Sequence, residues 1–120
     1  MAKAPDPFHD FVVELFAPLG PVTVRRMFGG AGVFSNKVMF ALLAEGEIYL
    51  KCDAALREAL EAENSDPFVW VRPSDGRQFD MGYLKLPGDA AEDPDTASVW
   101  GRRALDVALK AKSAKKKTKP

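Results

Sequence analysis

One cysteine and one histidine in 120 residues leave little material for redox or metal chemistry. Cys52 has no partner for an internal disulfide, which fits a reducing compartment and points to the cytoplasm. His9 and Cys52 stand far apart and match no zinc-ligand spacing, so neither a metal nor a cofactor is expected. No apolar run approaches the roughly 18 residues of a membrane span. The opening MAKAPDPFHD lacks the continuous apolar stretch of a secretory signal, so no membrane partner is expected. Net charge is also missing, with 17 basic and 17 acidic side chains.

That neutrality hides an asymmetry. Lys110, Lys112, Lys115, Lys116, Lys117 and Lys119 fall in the last eleven residues, which hold no acid. The preceding 109 residues carry 11 basic and 17 acidic side chains, a net of −6. An acidic body argues against a broad phosphate-binding footprint over the whole domain. The lysine-rich end has little to bury, so residues 113–120 are read as a disordered tail behind a single domain, 1–112.

Three helices and two sets of strands are legible within that domain. Asp6 caps and Pro7 opens a first helix, with Phe8, Phe11, Val12, Leu15 and Phe16 at helical spacing. Pro18, Gly20 and Pro21 end it. Short β-type runs follow at Gly32–Ser35, Val38–Leu43 and Ile48–Cys52, split by Ser35-Asn36-Lys37 and Glu45-Gly46. Thr23–Phe28 is a further strand candidate ahead of the first glycine turn. Strand alternation sets Ile48, Leu50 and Cys52 on one face and Tyr49 and Lys51 on the other. Val38–Leu43, apolar on both faces, belongs in the middle of a sheet.

Asp53 caps a second helix over 54–62, and Phe68–Val71 and Phe79–Leu84 form a hairpin across Pro73-Ser74-Asp75-Gly76. Asp93-Pro94 opens a third helix that carries Trp100, Ala104, Val107, Ala108 and Ala111 roughly on one side. The expected fold is α+β: a two-layer antiparallel sheet covered by helices, in the order α-β-β-β-α-β-β-α. Phe11, Phe40, Leu50 and Trp100 are its expected packing residues.

The stretch RRMFGGAGVFS poses the main chemical question. A phosphate-binding Walker loop needs Lys-Ser/Thr at a helix start, and a dinucleotide fingerprint needs a helix after its glycines. Here Gly29, Gly30 and Gly32 lead into Val33-Phe34, so a turn or bulge between strands is the favoured reading. Arg25 and Arg26 point to opposite faces if they lie on a strand, leaving one as an exposed contact for an anion or a partner. No acid–base pair or nucleophile set is singled out. A small-ligand site would have to draw on Tyr49, Arg72, Asp80 and Tyr83.

RRMFGGAGVFSNKVMFAL, EIYLKCD, MGYLKLP and EDPDTASVW together resemble the N-terminal domain of the TfoX/Sxy family over roughly Phe8 to Leu109. Arg26-Met27-Phe28-Gly29-Gly30 is the most specific part. The resemblance implies a two-layer sheet-and-helix fold. It also implies kinship with bacterial regulators of natural competence, which promote expression of DNA-uptake genes together with the cyclic-AMP receptor protein. Those regulators carry a second, C-terminal domain, whereas here only the lysine-rich segment follows Lys112. The expected function is a small, non-catalytic, cytoplasmic regulatory module that binds a protein partner through its sheet or a sheet edge. Arg25, Arg26, Met27, Phe28, Gly29 and Gly30 are the motif residues and possible partner contacts. Two other readings stand beside it: salt-sensitive nucleic-acid contact through the tail lysines, and an unrecognised enzyme or small-ligand binder. An exposed sheet edge would also allow a homodimer.

Overall fold

Asp6 starts the first helix as its sequence suggests: its Oδ1 accepts a hydrogen bond from the Phe8 amide at 2.9 Å. The computed structural model describes residues 6–27 and 30–117, with side chains to residue 113. Helix α1 spans Pro7–Leu15 and a short 3₁₀ turn, Ala17–Leu19, follows it. Val12, Leu15 and Phe16 are buried. Phe11 is not: it is 42% exposed, against the expectation from helical spacing. It lies about 100° round the helix from Val12, at the flank of the buried stripe, where it stacks on Phe8.

Six antiparallel strands follow: β1 (Thr23–Met27), β2 (Gly30–Ser35), β3 (Val38–Ala44), β4 (Glu47–Lys51), β5 (Pro67–Val71) and β6 (Gln78–Lys85). The candidate strand before the glycines therefore exists, and β2 begins at Gly30 rather than Gly32. Phe28 and Gly29 lie outside the described residues. The spatial order is β1-β2-β3-β4-β6-β5, so the chain leaves β4 mid-sheet and returns at the far edge. Two-residue turns at Asn36-Lys37 and Glu45-Gly46, all at positive φ, match the right-handed twist of the strands they join.

Strand β3 is central, as its two apolar faces suggested, and it carries an irregularity. Val33 pairs with Ala41 but Phe34 pairs with Met39, so Phe40 is an extra residue bulged out of the ladder. The bulge resets the alternation. Val38, Phe40, Ala41 and Leu43 are all buried, and Phe40 meets the Phe16 ring edge-to-face at 5.5 Å.

Helix α2 (Ala54–Glu61) is capped by Asp53, which accepts from the Leu56 amide at 2.8 Å. The turn that follows it closes at Asn64, at φ +63°, with the Ser65 amide donating back to the Leu60 carbonyl at 3.1 Å. Helix α3 (Pro94–Lys117) starts under Asp93, whose carboxylate takes the Asp95 amide and the Thr96 hydroxyl. Its backbone is helical for five residues beyond the boundary that composition suggested. It buries Ala97, Ala104, Leu105 and Ala108, while Trp100 and Val107 pack only partly and Ala111 is exposed. Gly101 lets α3 close on the rest of the core: a Cβ there would sit 2.9 Å from both Phe16 and Leu19.

The core lies between one sheet face and the helices. Ala31, Val33, Ala41, Leu43, Ile48, Leu50 and Leu84 are at most 5% exposed and pack with Val12, Phe16, Leu56, Leu60 and Ala104. Phe40 and Leu50 thus hold the packing roles expected of them.

Candidate functional site

Strand register decides what the second sheet face displays. Residues paired across a ladder share a face. The core side therefore holds Val24, Val33, Ala41, Leu50 and Leu84 in one row and Arg26, Ala31, Leu43 and Ile48 in another. The opposite side holds Arg25, Gly32, Leu42, Tyr49 and Lys85, with Phe34 beside Met39 and Lys51 beside Tyr83. Phe68 joins it through its ring contact with Tyr49, 5.2 Å between centroids. Trp70 and Phe79 are a paired couple two residues further along, 5.9 Å apart. None of these side chains belongs to the buried core.

Cations lie over several of those rings. Arg25 is 5.7 Å from the Phe34 ring, Lys51 is 5.6 Å from Tyr83, and Arg72 is 5.2 Å from Phe79. Lys85 also stands on this face, 3.8 Å from Glu47. Burial raises the pKa of Tyr83, so its phenol stays protonated through the physiological range.

The two arginines of the motif part company, as a strand requires. Arg25 belongs to the open face. Arg26 pairs with buried Ala31 and turns toward the helix side, where it lines a cavity of about 500 Å³ together with Asp6, Phe8, His9 and Glu45. His9 pairs with Asp6 at 3.4 Å. A second cleft of about 220 Å³ places Lys110 beside Asp53, Arg103 and Asp106. The first of the tail lysines thus stands among carboxylates. Lys112 is exposed on α3, and Lys115, Lys116 and Lys117 fall on its last turn. Lys119 lies outside the described residues.

The two described glycines of the motif belong to the sheet. Gly30 and Gly32 are both within β2. A Cβ on Gly30 would stand 2.3 Å from the Leu43 carbonyl oxygen, and one on Gly32 would meet Met39, Met27 and Phe34 at 2.9–3.0 Å. At Gly30 the missing side chain is needed for strand approach, whereas at Gly32 it leaves room for side chains that can shift.

Tyr49, Tyr83, Arg72 and Asp80, the material for a ligand site, line neither cavity. Arg72 is clamped to Asp75 within the β5–β6 turn. Asp80 takes Arg57 of α2 through both oxygens, at 2.6 and 3.3 Å, which holds its carboxyl below the usual range. Cys52 is half-buried at the end of β4, and burial pushes its thiol up to about 11. Among the described residues, no three His, Cys, Asp or Glu side chains gather where a metal could be held. None of the described helices is long and apolar enough to cross a membrane.

The two sheet edges differ in kind. β1 carries Arg25 and Arg26. β5 reads Pro67-Phe68-Val69-Trp70-Val71 with no charge, and Val69, Trp70 and Val71 are 39%, 43% and 50% exposed. Strand composition alone gave no sign of this, because Phe68–Val71 reads like any buried strand until the order β6-β5 puts it outermost.

These features define a class: a two-layer α+β domain with one sheet face covered by helices and the other uncovered among the described residues. The chain belongs to the TfoX N-terminal domain family, whose model matches residues 14–108. It is similar to Protein Sxy of Escherichia coli (strain K12), at 26% identity over 104 residues. That match takes in 85% of this chain and 48% of Sxy, so the chain spans about half the length of the curated relative.

Proposed function

We propose that the protein is a non-catalytic regulatory module of the competence-regulator kind, acting in the cytoplasm by binding a protein partner at the edge of its sheet. The uncharged, exposed strand β5 carries this reading. Edge strands are ordinarily blunted by charge, as β1 is by its arginines, because their unpaired amides and carbonyls invite another strand. An edge left apolar and bare suits a partner that adds a strand, with main-chain hydrogen bonds for affinity and Trp70 for side-chain contact. Arg25 and Arg26, with Met27 beside them, offer contacts at the opposite edge. A second copy of the chain is one form the partner can take. Nucleic-acid contact through the tail ranks below this reading, since Lys110 stands among acids.

The test uses the relative's own host. In E. coli lacking Sxy, expression of the full chain should raise transcripts of DNA-uptake genes severalfold. The double variant Val69→Lys, Val71→Lys, checked as folded by circular dichroism, should abolish the rise. Transcripts unmoved by the wild-type chain would refute the regulatory reading. A rise undiminished in the variant would refute the edge.

A further inference from the structure

The open sheet face has a character that the edge reading does not use. We propose that it binds single-stranded nucleic acid, its rings stacking bases and its cations following the phosphates. Phe34, Tyr49, Phe68, Trp70, Phe79 and Tyr83 bring six rings to one face, and Trp70 is 43% exposed. Arg25, Lys51, Arg72 and Lys85 are spread among them, three lying over ring faces at 5.2–5.7 Å. Glu47 beside Lys85 is one acid among these groups. Asp75 neutralises part of the Arg72 charge from the adjoining turn.

Charge sorting is the strongest argument. Residues 1–109 carry 11 basic and 17 acidic side chains, so a surface with four cations against two carboxylates, Glu47 and Asp75, is sorted against the average of the molecule. A polyanion is attracted to this face and repelled by the rest. Aromatic rings interleaved with cations form the sequence-tolerant stacking platform used by single-strand binders, since every base has a π-face. Duplex DNA hides its bases and cannot use such rings.

Dimensions agree. From β2 to β5 there are four inter-strand steps, about 19 Å at the usual spacing. That accommodates about five nucleotides at the stacked rise of a single strand. An acidic peptide would satisfy the charge, but its side chains need pockets. None of the six rings lines either cavity.

The face shares Phe68 and Trp70 with the β5 edge, so its test uses residues away from that strand. Fluorescence anisotropy of the full chain would be read with a labelled oligothymidine of about 15 nucleotides, at about 50 and about 200 mM salt. The expected result is salt-sensitive binding that prefers the single strand over a duplex of equal length. Tyr49→Ala should weaken it about 5- to 100-fold, and Tyr49→Phe should restore it. Lys51→Gln with Lys85→Gln should lower the slope of log affinity against log salt by about 1.4. Lys115, Lys116 and Lys117 changed together to Gln should leave the preference for single strands unchanged. Matching thermal melts confirm that each variant is folded. Equal affinity for duplex, loss of binding only in the tail variant, tighter binding of an acidic polyglutamate peptide, or no binding would each overturn it.

Discussion

Gly30→Ala and Gly32→Ala, measured side by side, decide why the motif is rich in glycine. At Gly30 the added methyl would lie 2.3 Å from the Leu43 carbonyl oxygen, where ordinary contact begins at 3.4 Å, so β2 and β3 must part by about 1 Å. The obstruction is backbone and cannot rotate away, which puts the cost near the upper end of overpacking, about 3 kcal/mol. Alanine recovers about 0.4–1 kcal/mol by restricting the unfolded chain. The net loss is about 2 kcal/mol or more. At Gly32 the neighbours are Met39 Sδ, Met27 Cε and the Phe34 ring edge, at 2.9–3.0 Å. Methionine ends shift by a few tenths of an ångström at little cost, so the change should stay within about 1 kcal/mol of neutral. In urea unfolding with equal m-values, a gap of about 2 kcal/mol separates the two midpoints by roughly 1 M. Coincident midpoints would refute the close-approach argument. The glycines would then be free to serve a ligand.

Phe40→Ala removes the bulged ring from between Phe16 and the sheet and should cost about 3–5 kcal/mol, whereas Phe11→Ala, on the exposed flank of α1, should cost under about 1 kcal/mol; equal losses in chemical denaturation would contradict the burial assigned to the two rings. Cys52, with its thiol pushed up to about 11 by burial, should be alkylated by iodoacetamide much more slowly in the folded than in the unfolded chain near the free-thiol value of about 8.5. The sign for stability follows from the same shift. Between about 9 and about 11 the folded state keeps a proton that the unfolded chain releases, so stability should fall as pH rises through that window. Equal alkylation rates would refute the shift.

Local signals carried most of the fold. The three helix starts were legible because a capping acid followed by apolar spacing is a short-range device. Asp6, Asp53 and Asp93 all accept the amide bonds that the device requires. Turns with Asn-Lys and Glu-Gly marked the hairpins for the same reason. Phe11 misled because a helical stripe has edges, and sequence spacing does not say how far the covering surface extends. The bulge at Phe40 was hidden because an extra residue shows only against its partner strand. The helical backbone of 113–117 ran past a boundary drawn from composition, which reports what a segment can bury and not how far an existing helix propagates.

The open face shows where sequence reading stops for a physical reason. Alternation within β4 already set Tyr49 and Lys51 apart from Ile48 and Leu50. Nothing local tells which residues of other strands stand beside them. Pairing of Tyr49 with Lys85 and of Lys51 with Tyr83 joins segments more than 30 positions apart, and it exists only because β6 inserts between β4 and β5. The same insertion pushes β5 to the edge. One topological choice thus creates both surfaces proposed for binding, the apolar edge and the aromatic, cationic face. A motif search along the chain finds Arg25-Arg26 and the lysine run because they are contiguous. It passes over Tyr49, Lys51, Tyr83 and Lys85 because their proximity is a property of the register.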